Sequence, residues 1–351
     1  MLKRLIAITF IFCSASLAWM ILGGTLVQRT NDSDSQQRDR LTAQWGGAQT
    51  QAAPQVSTKT RGNSYVPVPI QSSRIVVRLD LEQRRDGLLW YNLYNVRFLA
   101  HYRIRNVSGN PRLAIHFAFP STDGTYADFS AFIDGHRIAD PTALDQGRLT
   151  FSLPPGRETT LDVGYRSRGM GTWIYRFGDG VEAAGDFALR MTTNFNAIDF
   201  PPQTLLPTAE ERDKSGWKLD WRYATLVTGS GIGMTFPYPL QPGPVAERIT
   251  FGAPVALFFY FFVMLVIVTL REIDLHPINY FFLAASFFAF HLLFAYLVDR
   301  IPIEAAFAIC SAVTLFLTIS YLRLVVGLKF AAVESGLAQL VYLVLFSYAL
   351  Y

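Results

Sequence analysis

The side chains of this chain best suited to chemistry are its five histidines, two cysteines and 27 carboxylates, and their spacing gathers none of them into a recognisable site. His101, His116 and His136 fall on separate predicted strands or turns, with no pair at the helical or strand spacing that brings two imidazoles onto one metal ion. They read as ordinary polar or half-buried histidines, and no metal or cofactor is expected. Gly229-Ser230-Gly231-Ile232-Gly233 has glycines enough to cradle a phosphate, but no βαβ unit flanks it, so it reads as a flexible turn. There is no Gly-x-Ser-x-Gly elbow and no Cys/His pair outside the apolar runs, and the acids cannot be matched into an acid–base couple by position. No enzymatic activity is predicted. His291 stands apart, because it is ionisable and sits in the middle of an apolar run. Such a group usually faces other helices or a wet cavity, which makes it a functional candidate. The plainer role is a neutral imidazole hydrogen-bonded to a neighbouring helix.

The elements that hold these residues divide the chain sharply. Residues 251–270, 278–298 and 303–322 are each about the length, roughly 20 residues, that an α-helix needs to cross a bilayer core, and they are apolar all round. A further run, 335–351, is shorter and lacks a charged flank, which suggests a chain cut within or just after a fifth helix. Residues 1–28 open with Lys3 and Arg4 and continue uncharged beyond the ~7–15 residues of a signal-peptide core, so they read as a retained anchor. The two basic residues place the N-terminus in the cytoplasm and residues 29–250 on the far side of the membrane. Cys13 and Cys310 both lie in apolar runs and read as small apolar fillers.

Residues 29–72 are polar. The part up to Trp45 can continue the anchor as a solvated helix, and 49–72, rich in Gln, Thr, Ser, Ala and Pro, reads as a linker. Across 73–235 the period changes to two: Ile75, Val77 and Leu79 alternate with Val76, Arg78 and Asp80, and 96–106 and 113–118 follow the same rule. Asp134-Gly135 between apolar residues is a hairpin signal. The segment therefore reads as an exported all-β, sandwich-like region without a disulfide. Residues 236–250, with Pro237, Pro239, Pro242 and Pro244, read as a stiff extended approach to the next helix, in whose first turn Pro254 sits.

Residues 28–250 hold 25 basic and 22 acidic side chains, so no basic stripe or arm is concentrated in the sequence and nucleic acid is not an expected partner. The expected partners are the lipid bilayer itself and other envelope proteins or lipids.

Trp45-Gly46-Gly47-Ala48-Gln49-Thr50 after the first helix, Leu275-His276-Pro277-Ile278-Asn279-Tyr280 opening the third and Ser320-Tyr321-Leu322-Arg323 closing the fourth resemble the CreD family of bacterial inner-membrane proteins. The chain departs from that pattern at Ala53, where glycine is expected before Pro54, and at its last membrane helix. The resemblance implies a bacterial inner-membrane location with residues 29–250 in the periplasm. It also implies a role in cell-envelope integrity or stress response, with no activity established for the family. Trp45, Gly46, Gly47, His276, Pro277, His291 and Arg323 are the candidate functional positions. The leading expectation is a non-catalytic membrane protein that binds an envelope component through its β region. The alternative is a transporter or signalling partner whose helix bundle recognises a lipid or small amphiphile, with His291 facing it.

Overall fold

The computed structural model describes residues 2–59, 64–140, 142–145, 149–178, 180 and 182–351. They fall into two compact units, one helical (Met1–Gln37, Arg85–Trp90 and Pro239–Tyr351) and one β-rich (Arg38–Arg84 and Tyr91–Tyr238). Helix α1 (Leu2–Trp45) is continuous over 44 residues. It stops where Gly46 takes a φ of +84° and its amide donates to the Thr42 carbonyl at 2.8 Å, the left-handed cap that glycine adopts without a Cβ penalty.

The stretch 49–72 is not a linker. It supplies β1 (Gln49–Ala52), β2 (Gln55–Lys59) and β3 (Tyr65–Pro67) and opens β4 (Ile70–Asp86), while residues 60–63 lie outside the described ones. These strands are short and polar, and only β1 buries alternate side chains: β2 buries Val56, Ser57 and Thr58 in a row and β3 none, so they read as a linker until the partner strands are known. The remaining strands are β5 (Leu89–Arg105), β6 (Arg112–His116), β7 (Tyr126–Ile133), β8 (His136–Arg137), β9 (Leu149–Ser152), β10 (Glu158–Met170), β11 (Thr172–Arg176), β12 (Glu182–Thr193), β13 (Ala209–Asp213), β14 (Gly216–Thr228) and β15 (Ile232–Thr235). Between β8 and β9 lies one helical turn, α2 (Thr142–Asp145).

The strands make an eight-stranded sheet in the order β13-β14-β12-β4-β5-β10-β7-β8, a four-stranded sheet β3-β2-β6-β9 and a three-stranded sheet β1-β11-β15. Most pairs are antiparallel, but β12 runs parallel to β4 and β1 parallel to β11. The alternation seen in the sequence is a division of faces. On β5, Val96, Phe98, Ala100, Tyr102 and Ile104 are buried, whereas Arg97, Leu99, His101, Arg103 and Arg105 are exposed. The buried set joins an aromatic core in which Phe98 stacks on Tyr165 at 5.1 Å beside the fully buried Trp173, Tyr175 and Trp221. Asp134 and Gly135, with φ of 50° and 77°, turn β7 into β8 as the hairpin signal predicts. The glycine segment 229–233 is only partly a turn: its last two residues begin β15, where a Cβ on Gly233 would sit 3.0 Å from Ile174.

In the helical unit α3 (Pro242–Leu270), α4 (Pro277–Leu297) and α5 (Ile303–Val325) are followed by a helical run, Phe330–Ala349, in which Phe330–Ser335 and Leu340–Leu345 are π-wound. Two expectations change here. Residues 242–250 are helical rather than extended, because Pro242 at the first helical position gives up an amide that has no intrahelical partner there. Pro254 consequently lies inside α3, not in its first turn. The last run begins at Phe330 rather than 335, taking Glu334 into the helix because Arg271 pairs with it at 2.7 Å. Among the described residues five helices, α1, α3, α4, α5 and Phe330–Ala349, are long and apolar enough to cross a membrane.

Within this unit α1 is fixed at two heights. Arg4 donates to the Leu275 carbonyl at 2.5 Å just before α4, and Arg29 pairs with Asp299 just after it. Helix α1 therefore runs parallel to α4, and the 25 helical steps from Arg4 to Arg29 span about 37 Å, enough for a bilayer core. Between the pins Trp19 is fully buried against Phe288 and His291, while Leu5, Phe10, Leu17 and Ile21 remain exposed. In water so many exposed apolar side chains on one helix would be a liability, whereas a bilayer core would solvate them.

Candidate functional site

The sequence positions singled out by motif turn out to shape the ends of helices. At the end of α1 the Arg168 guanidinium lies over the Trp45 ring, 5.0 Å from its centroid. A Cβ on Gly46 would approach the Arg168 carbonyl to 3.0 Å, the Met170 amide donates to the Gly47 carbonyl at 3.2 Å, and Gln49 Nε2 donates to Ser167 Oγ at 2.7 Å and to the Arg168 carbonyl at 2.8 Å. Trp45-Gly46-Gly47 is thus a helix stop laid against β10. His276 caps α4, its Nδ1 accepting from the Ile278 amide at 3.3 Å, and Pro277 occupies the first helical position. Tyr321 donates to Asn279 Oδ1 at 2.6 Å, so the two membrane motifs meet across α4 and α5. Arg323 is exposed in the last turn of α5, where a cation suits the helix dipole.

His291 does not bond to a neighbouring helix. It is fully buried and its Nδ1 faces the Phe287 carbonyl of its own helix at 2.9 Å, which makes Nδ1 the protonated nitrogen and Nε2 an acceptor. That Nε2 has no partner, nor does the Nε1–H donor of Trp19, whose ring meets the imidazole edge-on with centroids 5.6 Å apart. A complementary donor and acceptor thus stand close together, both unbonded. The other histidines are dispersed: His101 pairs with Asp162 at 2.6 Å, His116 Nε2 faces the Asp145 carbonyl and His136 Nδ1 the Asp134 carbonyl. Among the described residues no three His, Cys, Asp or Glu side chains gather into a metal-ligand set.

The feature that position-by-position reading missed is the exposed face of the eight-stranded sheet. The arginines are scattered in sequence, but the period of two puts Arg74 and Arg78 of β4, Arg97, Arg103 and Arg105 of β5, Arg166 and Arg168 of β10, Arg190 of β12 and Arg222 of β14 on exposed positions. Beside Trp45 this face holds a cleft of about 620 Å³ lined by Arg78, Arg97, Arg166 and Arg168 with Asp80 as its only carboxylate. Asp80 accepts from Arg78 Nε at 2.9 Å, and Asp128 pairs with Arg166. Among the described residues Arg97 and Arg168 have no carboxylate partner, and Arg168 lies over the Trp45 ring.

Arg97 stands directly opposite Arg166 in the β5–β10 register, and like charges so placed destabilise an antiparallel pair. A bound anion removes that repulsion. Arginine also offers the planar fork of N–H donors that matches phosphate or carboxylate oxygens. Thr125 and Ala127 floor the cleft on either side of Tyr126, whose hydroxyl donates to the Ser121 carbonyl at 2.7 Å; burial pushes that phenol up to about 12. A second hollow of about 500 Å³ on the same face is lined by Arg74, Arg190 and Arg222, but there Asp186 and Asp220 neutralise the guanidiniums. The signal in the sequence was arginine at alternate positions within strands, legible only once the faces are assigned. Compared with protein-family models and with curated proteins, the chain matches none of either.

Proposed function

We propose that the chain is a non-catalytic, multi-pass membrane protein that binds an anionic cell-envelope component through the arginine-lined face of its β-rich unit. The observation that carries this reading is the cleft beside Trp45, where Asp80 and Asp128 answer Arg78 and Arg166 while Arg97 and Arg168 make no ion pair with a described carboxylate. The exposed Leu99 and Val76 on the same face suit a ligand that is anionic and partly apolar. An inner-membrane location, a periplasmic β unit and a part in envelope integrity of the CreD kind belong to the same proposal, supported by the five apolar helices and by the resemblance of the three motifs.

The test uses the full chain in lipid nanodiscs and two probes of equal mass, dextran sulfate and neutral dextran. Wild type is expected to bind the sulfated polymer alone, more weakly as salt rises. The double change Arg97→Gln with Arg168→Gln is expected to weaken binding by about tenfold or more at unchanged circular dichroism. Equal binding of the two polymers, or an unchanged affinity in the double variant, would sink the proposal.

A further inference from the structure

An apolar groove of about 490 Å³ runs between α3 and the Phe330–Ala349 run, walled by Val263 and Ile267 on one side and Leu337, Ala338 and Val341 on the other. A charged pair closes one end. Arg271 Nη2 meets Glu334 Oε1 at 2.7 Å, with the arginine side chain 60% exposed and the glutamate 16%. The second carboxylate oxygen, Glu334 Oε2, is buried and has no partner. The guanidinium has more N–H donors than the single carboxylate oxygen it is bonded to can accept. One end of the groove is therefore lined by guanidinium donors that Glu334 does not use, beside a carboxylate whose second oxygen is buried without a partner.

Both walls belong to helices long and apolar enough to span a membrane, so an acyl chain is the neighbour at hand. Lipid tails are as apolar as leucine, so filling the groove confers little selectivity and the head group decides. A phosphate satisfies Arg271. Beside it Glu334 Oε2 calls for a cation that still carries N–H, which a primary ammonium does and a quaternary one does not. We propose that this groove binds phosphatidylethanolamine: one acyl chain between the helices, the phosphate on Arg271 and the ammonium on Glu334 Oε2. The site is separate from the arginine-lined sheet face, and its failure would leave that reading standing.

The experiment is native mass spectrometry of the full chain released from nanodiscs containing equal amounts of phosphatidylethanolamine and phosphatidylcholine, repeated with phosphatidylglycerol in place of the first. Wild type is expected to retain the ethanolamine lipid about tenfold over the choline lipid. Glu334→Gln is expected to lose that preference and Glu334→Asp to keep it, so a loss through misfolding is told apart from a loss of charge. Arg271→Gln is expected to lower retention of all three lipids alike. Equal retention of ethanolamine and choline lipids by wild type, or an undiminished preference in Glu334→Gln, would overturn the proposal. So would a disulfide-linked dimer through Val341→Cys, which would put the helix of a second copy in the groove.

Discussion

The two units differ in where they place their apolar and charged side chains. On the β-rich unit several exposed guanidiniums are answered by carboxylates: Arg74 by Asp186, Arg78 by Asp80, Arg166 by Asp128 and Arg190 by Asp220. Its buried interior is largely apolar and aromatic, with buried polar groups such as Asn92 and Asn106 hydrogen-bonded and Gln49 Oε1, Tyr102 Oη and Trp173 Nε1 unpartnered. The helical unit exposes its apolar side chains and leaves polar atoms inside without partners, among them Trp19 Nε1, Thr250 Oγ1, His291 Nε2, Thr314 Oγ1 and Gln339 Oε1. In water, burial of apolar area at roughly 25 cal/mol per Å² drives folding and surface charges can be paired cheaply. Between helices in lipid that drive vanishes, and close packing, a few hydrogen bonds and end-of-helix ion pairs hold the assembly. In the cleft beside Trp45, Arg97 and Arg168 lack a described carboxylate partner, and in the helical unit Glu334 Oε2 and His291 Nε2 are unbonded.

The sharpest way to separate the units is alkali. Burial raises the phenols of Tyr94, Tyr102, Tyr165 and Tyr175 in the β-rich unit, and that of Tyr126 to about 12. The folded unit thus keeps protons that the unfolded chain releases above about pH 10. Stability is fully present below that value and falls as pH rises toward the folded pKa values. The β-sheet signal in circular dichroism is expected to collapse together with a cooperative rise in tyrosinate absorbance, while the helical signal persists in detergent. A gradual, non-cooperative tyrosinate titration with the sheet intact would break the comparison.

A smaller effect is expected at the pins of the helical unit. Arg29→Gln removes the partner of Asp299, whose side chain is 17% exposed, and the contact of Arg29 with the Tyr296 ring. It should cost about 1–2 kcal/mol, read as a lower Tm in detergent, and the exchange Arg29→Asp with Asp299→Arg should recover part of the loss. If Tm does not move, α1 is held by Arg4 and by its apolar contacts, Trp19 with Phe288 and Phe12 with Phe258, and not by Arg29.

The smallest effect is expected where the polar atoms are unpaired. His291→Phe replaces an imidazole whose Nε2 has no partner, so the change in stability should stay within about 1 kcal/mol, with Trp19→Phe similarly mild. A loss of more than about 2 kcal/mol in either variant, with the two losses far from additive, would show a water bridging Trp19 and His291.

How much of this was open to inspection in the sequence differed by element, for physical reasons. The membrane-length helices were plain because hydrocarbon demands long uninterrupted apolar runs, and the long strands because one face is wet and the other buried. The start of α3 was misread because proline is compatible with both an extended approach and a first helical turn. The strands β1 and β2 were missed because four or five polar residues carry little periodicity until β11 and β6 pair with them. His291 was visible as an anomaly, but its contact with Trp19 depends on α1 lying along α4, which Arg4 and Arg29 decide.

The sequence by itself determined where the long apolar helices and the long strands lie. Only the tertiary structure decided which side chains meet. Arg97, Arg166 and Arg168 come together because β5 and β10 pair in one register, and Arg271 reaches Glu334 because the last helix packs against α3. Residue type and period are local properties, whereas the register of strands and the pairing of helices arise from contacts between segments far apart in the chain.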